Sequence, residues 1–208
     1  MLSPLHAILD VDATALAGWT VEGLAQAFLD GGARVIQLRA KHLSSAAFFE
    51  HAERLVHAAR PYGARIVIND RVDIARLAGA AGAHVGQDDL PPAAARRLLG
   101  TEAIVGWSTH TPGQIEAAVA EPLTYIAIGP VFGTATKDTG YAPVGLEAVT
   151  RAARIAGRIP VVAIGGITLE TAGDVMAAGA SGVAVIGDLL AGGDPGARVA
   201  AFGRILGL

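Results

Sequence analysis

The chain has 208 residues, of which 52% are hydrophobic and 17% charged, with a formal net charge of −3. This length and composition fit one large folded domain spanning residues 1–208 and exclude a disordered protein. The small negative charge gives no general attraction to nucleic acid or anionic membranes, and the absence of cysteine excludes disulfides, thiolate catalysis and cysteine–zinc sites.

The amino-terminal segment "MLSPLHAILD" has no basic leader and contains His6 and Asp10, so it does not resemble a secretory signal. The longest uncharged run, residues 122–136, is shorter than the roughly 20 residues that span a bilayer. We therefore expect a soluble cytoplasmic protein.

Short apolar runs recur along the chain, each followed by a polar turn and a helix-length amphipathic stretch. The predicted strands cover residues 5–11, 35–39, 65–70, 83–86, 104–108, 125–131, 160–166 and 182–187. In the helix candidate "SSAAFFEHAERLVHAAR", Phe48, Leu55 and Ala59 share one face. Glycines in "DGGARV", "AGAHV" and "AAGASGVAV" are interpreted as left-handed helix caps. Eight alternating units without a linker predict a (β/α)8 TIM barrel; the alternative, a doubly wound open sheet, would be favoured by a GxGxxG motif that is absent here.

The second predicted strand and its continuation read "VIQLRAK", which places Gln37, Arg39 and Lys41 on one face at a period of two. In a barrel this polar face rises through the interior toward the carboxyl ends of the strands, where active sites lie. Because an unpaired arginine is costly there, we expect an anion to meet Arg39. The alternative is an internal salt bridge, for example to Asp10.

Acidic and amide side chains follow the third and fourth predicted strands. Asn69 and Asp70 end the third strand, and Gln87, Asp88 and Asp89 follow the fourth. Two carboxylates from neighbouring strand ends, beside basic groups, are what Mg²⁺ bridged to a phosphate requires. Aspartates after strands alternatively cap helices or face solvent, and we expect one of these for Asp88.

Ser108 ends the fifth predicted strand and is followed by Thr109 and His110. A serine and a histidine this close in sequence suggest nucleophilic catalysis, but no nucleophile-elbow motif surrounds them. We interpret "THTPGQIEAA" as a helix cap and entry, and Ser108 as a hydrogen-bonding group in the pocket.

The last three predicted strands end in residues suited to anions. The sixth leads into "GPVFGTATKDTG", where Thr134, Thr136 and Lys137 offer hydroxyl donors and a positive charge. The glycines of "AIGGIT" and "AVIGD" after the seventh and eighth strands match a phosphate cup built from backbone N–H groups. These glycines account for the binding of one monophosphate. The basic residues and the two aspartates are surplus to it and predict a second, more highly charged group with a metal, such as pyrophosphate.

Six motifs in this order resemble the thiamine-phosphate synthase family over essentially the whole chain: "VIQLRAK", "VINDRVDIA", "GAHVGQDDLP", "VGWSTHT", "GPVFGTATK" and "VVAIGGIT". The resemblance implies a Mg²⁺-dependent (β/α)8 enzyme with two phosphorylated small-molecule substrates. It would join 4-amino-2-methyl-5-hydroxymethylpyrimidine diphosphate to 4-methyl-5-(2-phosphoethyl)thiazole, or to its carboxylated form, giving thiamine phosphate and pyrophosphate. The implied chemistry is dissociative, through a pyrimidine methylene cation. The resemblance leaves open whether the chain forms a homo-oligomer.

Residue by residue, the same resemblance implies the roles of the site. Mg²⁺ would be bound by Asp70 and Asp89. The diphosphate would be held by Arg39, Lys41, Asn69 and Lys137. The groups near the pyrimidine, its diphosphate or the incoming thiazole would be Gln37, Ser108 and Thr136. The thiazole phosphate would be received by Thr134, Thr136, Gly166 and the backbone of Ile186 and Gly187. The residues implied to be catalytic are Arg39, Lys41, Ser108 and Lys137.

Four positions depart from the family pattern. Ala40 stands where glutamate is common, His42 where aspartate is frequent, and Trp107 where a small aliphatic residue is usual. Gly187 stands where serine is usual, which removes a hydroxyl from the thiazole phosphate cup and keeps the N–H. We therefore expect any weakening to concern the thiazole substrate.

Two alternative functions belong to the same barrel type. A thiazole tautomerase would need a proton-transfer residue, and that relative carries histidine where this chain has Pro130. A non-catalytic thiamine-phosphate-binding protein would not need Lys137 together with Asp70 and Asp89 to stabilise a departing diphosphate.

Overall fold

The computed structural model describes residues 2–133 and 140–208. Parallel strands form a closed barrel in sequence order, with the last strand paired to the first. The strands are β1 (Leu5–Asp10), β2 (Val35–Arg39), β3 (Arg65–Asn69), β4 (Gly82–Val85), β5 (Ile104–Thr109), β6 (Tyr125–Ile128), β7 (Val161–Ile164) and β8 (Gly182–Val185).

Helices surround the barrel and connect its strands. Among the described residues the α-helices are α1 (Val11–Leu16), α2 (Val21–Asp30), α3 (Ser45–Ala59), α4 (Val72–Leu77), α5 (Pro92–Leu99), α6 (Pro112–Val119), α7 (Gly145–Ala156), α8 (Ala172–Ala177) and α9 (Pro195–Leu206). Short 3₁₀ segments cover Arg60–Tyr62 and Gly187–Gly193, and the second is interrupted by a kink at Ala191 and Gly192. Within the described ranges, no helix combines the length and apolar character needed to cross a bilayer.

The closed ring confirms the (β/α)8 TIM barrel and rules out the doubly wound sheet. Each predicted strand is present, with small differences at the ends. The largest difference is in β6, which was expected to reach Val131 and ends at Ile128. Pro130 has no N–H to donate to a ladder, which accounts for the early end.

Side chains of the strands alternate between the helix layer and the barrel interior. In β2, Ile36 and Leu38 pack under the helices, while Gln37 and Arg39 face the interior, as the period of two predicted. The apolar layer inside the barrel contains Ile8, Val35, Val67, Ile104, Tyr125, Ala127, Val162 and Ala184. The predicted inner face of α3 is also confirmed, since Phe48, Leu55 and Ala59 are buried.

One predicted helix cap is wrong. Gly32 and Gly179 have positive φ angles after α2 and α8, as expected of helix ends. Gly82 of "AGAHV" instead lies inside β4, where an added Cβ would overlap the carbonyl oxygen of Ile104. The left-handed residue after α4 is Gly79, with φ 64°. Gly82 therefore allows a close approach of two strands and does not end a helix.

Candidate functional site

A cavity of about 370 Å³ lies at the carboxyl ends of the strands. Period-two alternation and the short turns after β7 and β8 bring several predicted substrate-binding residues to its wall. These are Gln37, Arg39, Asn69, Ser108, Gly166, Ile186 and Gly187. Lys41, Asp70 and Asp89 belong to the adjoining loops after β2, β3 and β4. The structure thus gathers residues from across the sequence at one end of the barrel.

Arg39 takes part in the internal salt bridge that was the alternative to an anion site. Its Nη1 contacts Oδ2 of the buried Asp10, whose Oδ1 also accepts from the Ala13 N–H at 2.9 Å and caps α1. The Arg39 Nε is buried and has no hydrogen-bond partner among the described residues. A buried donor without a partner is costly, so Arg39 retains the capacity to bind an anion in the cavity that it lines.

Lys41, Asp70 and Asp89 form a cluster beside the cavity. The Lys41 Nζ lies 2.5 Å from the Asp70 Oδ2. Asp70 has φ 62°, in the left-handed region, which turns the chain sharply between β3 and α4. The Asp89 Oδ2 accepts from the Gly86 N–H at 2.7 Å, which fixes this carboxylate at the end of β4.

The Asp70 carboxylate lies close enough to Asp89 to affect the pKa of Asp89. Burial raises the pKa of Asp89, and the carboxyl group of Asp70 within hydrogen-bonding reach raises this pKa further, against the lowering effect of the Gly86 N–H. A divalent cation would relieve this repulsion, so the donor set fits Mg²⁺. Among residues 2–133 and 140–208, no group of three or more histidine, cysteine, aspartate and glutamate side chains is placed to hold a metal.

Asp88 behaves differently from its neighbour. Its side chain is exposed, as expected of a solvent-facing turn residue. It does not cap α5, because the residue at that helix start is Pro91 and no side chain caps it. Asp88 is therefore a matched control for Asp89.

Ser108 is hydrogen-bonded to His84 rather than to His110. The Ser108 Oγ lies 2.8 Å from the Nε2 of His84, and the Nδ1 of His84 lies 2.8 Å from the hydroxyl of Tyr125. The Nδ1 of His110 is 2.6 Å from the carbonyl oxygen of Gly129. His84 and Tyr125 were not predicted as site residues, although each occupies an inward position of its strand, and that alternation was the available signal.

The expected helix entry after β5 is confirmed. Thr111 caps α6, and the Gln114 side chain completes a capping box. This local structure accounts for "THTPGQIEAA" without a nucleophilic role.

Glycine is required at the turn after β7. Gly165 and Gly166 have φ angles of 102° and 62°. An added Cβ on Gly165 would lie 2.5 Å from Pro130, and one on Gly166 would overlap the carbonyl oxygen of Gly133. The turn therefore packs backbone against backbone, and both glycines line the cavity.

The turn after β8 is held by a partly buried ion pair that the sequence did not predict. Nη2 of Arg198, on α9, lies 2.9 and 2.8 Å from the two carboxylate oxygens of Asp188. The Asp188 Oδ2 also accepts from the Leu169 N–H of the β7–α8 loop at 2.9 Å. Because Asp188 directly follows Gly187, this contact fixes the two predicted phosphate-binding turns relative to each other.

The remaining predicted site residues, Thr134, Thr136 and Lys137, lie outside the described residues. Their roles toward the thiazole phosphate and the diphosphate stay predictions.

The site therefore has two parts. We call the residues that end β2 and β3, together with those in the loops after β2, β3 and β4, the charged half: Arg39, Lys41, Asn69, Asp70 and Asp89. We call the residues after β7 and β8 the glycine half: Gly165, Gly166, Ile186 and Gly187. Fold and site together define a (β/α)8 barrel enzyme with its polar residues at the carboxyl ends of the strands.

Comparison with known proteins identifies the family. The family model described as thiamine monophosphate synthase matches residues 7–189. Thiamine-phosphate synthase from Chloroflexus aurantiacus is 43% identical over 175 residues, which cover 84% of this chain and 80% of that protein. The thiamine biosynthesis bifunctional protein ThiM/ThiE from Symbiobacterium thermophilum is 45% identical over 186 residues, or 89% of this chain, but the match spans only 38% of that longer relative.

A solved structure agrees with the sequence relatives. Thiamine phosphate pyrophosphorylase from Pyrococcus furiosus superposes with a TM-score of 0.86 at 28% identity, covering 98% of this chain and 95% of that one. The chain belongs to the thiamine-phosphate synthase family and is a transferase.

Proposed function

We propose that the chain joins 4-amino-2-methyl-5-hydroxymethylpyrimidine diphosphate to 4-methyl-5-(2-phosphoethyl)thiazole, or to its carboxylated form, releasing pyrophosphate and thiamine phosphate. The observation that carries the proposal is that one cavity is lined by the glycine half and by Arg39 and Asn69 of the charged half, whose other residues lie in the adjoining loops. A reaction of two phosphorylated substrates needs two phosphate sites of different charge, one on each side of the reacting atoms.

The charged half would bind the diphosphate. Arg39 would donate from its guanidinium, including the buried Nε, and Asn69 would donate from the cavity wall. The ammonium of Lys41, which is paired with Asp70 in the structure, would donate a hydrogen bond to a diphosphate oxygen, either after leaving Asp70 or while still bonded to it. Mg²⁺, held by Asp70 and Asp89, would supply the positive charge that stabilises the departing diphosphate. These contacts strengthen as negative charge develops on the leaving group.

The glycine half would bind the thiazole phosphate. Its backbone N–H groups carry partial positive charge and add no formal charge, which suits one phosphate group that stays unchanged during the reaction. Holding that phosphate would place the thiazole nitrogen in line with the pyrimidine methylene carbon. The C–O bond would break first, the methylene cation would form, and the nitrogen would then attack it.

This mechanism needs little proton transfer. Pro130, buried beside the cavity, has no ionisable group at the position where the related tautomerase carries histidine. The apolar cavity residues Ile8, Ala127 and Val162 would limit the access of water to the cation.

The test is a reconstituted reaction with the purified protein, both substrates and Mg²⁺, in which thiamine phosphate and pyrophosphate are measured together. We expect both products in equal amounts and no activity after addition of EDTA. Asp70→Ala and Lys137→Ala should each lower the rate about 100-fold or more, because the first removes a proposed Mg²⁺ ligand and the second a proposed positive charge beside the leaving group. Asp73→Ala is the matched control for Asp70→Ala, since Asp73 pairs with Arg71 on the exposed surface.

The other outcomes point to specific faults in the proposal. Pyrophosphate without thiamine phosphate would mean that the cation forms and is trapped by water, which would locate the fault in the glycine half or in the choice of thiazole. Absence of both products would reject the synthase reaction. Proton exchange on the thiazole would then test the tautomerase alternative.

A further inference from the structure

Three side chains form a hydrogen-bonded row inside the barrel. Tyr125 of β6, His84 of β4 and Ser108 of β5 are linked by the two 2.8 Å contacts described above. Tyr125 and His84 are buried, whereas Ser108 is partly exposed and, like them, lines the cavity. The row therefore ends on a hydroxyl that a substrate can reach.

The row depends on a glycine in the strand between its two aromatic members. Gly106 of β5 is in register with His84 on one side and with Tyr125 on the other. A Cβ at Gly106 would lie 2.5 Å from the Tyr125 hydroxyl oxygen and would overlap its ring. Because the middle strand has no side chain there, the phenol reaches across it to the imidazole. His6 supports the opposite side of the phenol, with its ring edge-on to that of Tyr125 at a centroid distance of 4.9 Å.

Burial fixes the direction of the first hydrogen bond. Tyr125 is 1% exposed, and burial raises the pKa of its hydroxyl, so the group keeps its proton. Among the described residues, the hydroxyl has one hydrogen-bond partner, the Nδ1 of His84. If Nδ1 carried the hydrogen, the phenol hydrogen would have no acceptor in an apolar interior. The phenol therefore donates to Nδ1.

The second hydrogen bond follows from the first. A neutral imidazole that accepts at Nδ1 carries its hydrogen on Nε2. The Nε2–H then donates to the Ser108 Oγ, and the hydroxyl hydrogen of Ser108 points away from His84. This is the reverse of a serine nucleophile, in which the imidazole accepts the serine proton.

We propose that Tyr125 and His84 are positioning residues that hold Ser108 as a hydrogen-bond donor toward the substrate in the cavity. This inference deepens and rests on the proposed function, in which the acceptor is an anionic oxygen of the pyrimidine diphosphate. Ser108 thus stabilises charge through a hydrogen bond and forms no covalent bond to the substrate. His84 fixes the direction of this donor and removes no proton.

The first test reads the tautomer of His84 without any substrate. Nitrogen-15 NMR of the ligand-free protein at neutral pH distinguishes the Nε2–H form, the Nδ1–H form and the imidazolium, and His84→Gln assigns the signals. We expect the Nε2–H form in the wild type. In Tyr125→Phe we expect a mixture of tautomers, because the donor to Nδ1 is gone. Tyr62→Phe, which removes an exposed hydroxyl bonded to Asp30, should leave the His84 signals unchanged. An Nδ1–H form or an imidazolium in the wild type would overturn the proposal.

The second test is a double-mutant cycle on the reaction. Ser108→Ala should lower kcat at least tenfold. Tyr125→Phe should lower it about three- to tenfold with little change in the KM of the thiazole phosphate. Adding Tyr125→Phe to Ser108→Ala should cause no further loss, since the row acts only through that hydroxyl. Independent, additive losses would show that Tyr125 acts elsewhere.

The two tests separate this proposal from the proposed function. A wild-type protein that makes no product, yet shows the Nε2–H form of His84, would reject the synthase reaction and keep the orientation of the row. If Tyr125→Phe lowers the melting temperature so far that kinetics cannot be measured, the wild-type NMR signals still decide the direction of both hydrogen bonds.

Discussion

The two halves of the site bind anions by different physical means. The charged half uses side chains, and the Lys41–Asp70 contact and the neighbouring Asp89 carry formal charges. The glycine half uses the backbone, and the conformations of Gly165 and Gly166 exclude larger side chains. Side-chain charges suit a group that leaves with changing charge, whereas fixed backbone dipoles suit a phosphate that only anchors its substrate. The comparison predicts that mutations in the first half mainly affect the rate and those in the second half mainly affect one KM.

The largest effect is expected from Asp89→Asn in the charged half. It removes one carboxylate of the proposed Mg²⁺ pair and should lower kcat about 100-fold, with an increased requirement for Mg²⁺. The amide oxygen can still accept from the Gly86 N–H, and removal of the repulsion with Asp70 should leave thermal stability equal or slightly higher. Steady-state kinetics across a Mg²⁺ titration provide the measurement.

The neighbouring Asp88→Asn is the control for that variant. Asp88 is exposed, so its replacement should change kcat less than twofold by the usual behaviour of surface substitutions. Equal losses in both variants would mean that the general negative charge of the loop matters and would remove the reason for assigning a metal to Asp89.

Gly166→Ala should produce the complementary result in the glycine half. The new Cβ would meet the Gly133 carbonyl oxygen at a positive φ angle, so the turn must shift. We expect the KM for the thiazole phosphate to rise about tenfold, equivalent to roughly 1.4 kcal/mol, while the KM for the pyrimidine diphosphate stays near its wild-type value. Gly173→Ala in α8, where an added Cβ meets nothing within 4 Å, is the matched control. A rise in both KM values would contradict the division of the site.

The residues of the charged half could be predicted from the sequence, whereas the hydrogen bonds and ion pairs that support both halves could not. The period of two placed Gln37 and Arg39 inside the barrel, and the position of Asp70 directly after a strand predicted its place at the site. The hydrogen bond from Tyr125 to His84 could not be predicted in this way, because it depends on the register of three strands and on the space left by Gly106. A strand pattern gives the face of a side chain, whereas its partner depends on the geometry of the closed barrel.

The ion pair between Arg198 and Asp188 beside the glycine half could not be predicted from the sequence either, because the partner of a side chain depends on the closed barrel. Replacement of Arg198 should have an effect of intermediate size. Arg198→Ala leaves the nearly buried carboxylate of Asp188 without its cation and loosens the contact between the two phosphate turns. We expect a loss of about 1–3 kcal/mol in the free energy of unfolding, less than for a fully buried pair because Arg198 is partly exposed. The KM for the thiazole phosphate should rise about three- to tenfold, by the 1.4 kcal/mol that corresponds to a factor of ten.

Urea unfolding and substrate-specific kinetics of Arg198→Ala test this role. Arg54→Ala removes an exposed arginine that pairs with Glu22 and Glu50, and it should cost less than about 0.5 kcal/mol. If Arg198→Ala lowers stability and leaves both KM values unchanged, the ion pair supports the fold without positioning the glycine half.

The smallest effect on catalysis is expected from His6→Phe, because His6 lies in the barrel interior against Tyr125 and belongs to neither half. Burial lowers the pKa of His6 from its ordinary 6.5 to about 4, against a small raising effect of the Ser3 backbone. Between pH 6.5 and 4 the His6 imidazole is protonated in the unfolded chain and neutral in the folded chain. The stability of the wild type is therefore complete above pH 6.5 and declines as the pH falls toward 4, by about 3 kcal/mol from this residue.

Phenylalanine at position 6 keeps a ring against Tyr125 and removes the titrating group. In urea unfolding, the difference in stability between pH 7 and pH 4.5 should be smaller in His6→Phe than in the wild type by about 2–3 kcal/mol. His57→Gln, at an exposed position on α3, should retain the wild-type pH dependence. At neutral pH neither KM should change, because His6 lies in the barrel interior, whereas both halves bind their phosphates at the carboxyl ends of the strands. A change in one KM alone would instead show that the interior transmits packing differences to that half, and the two halves would then not be independent.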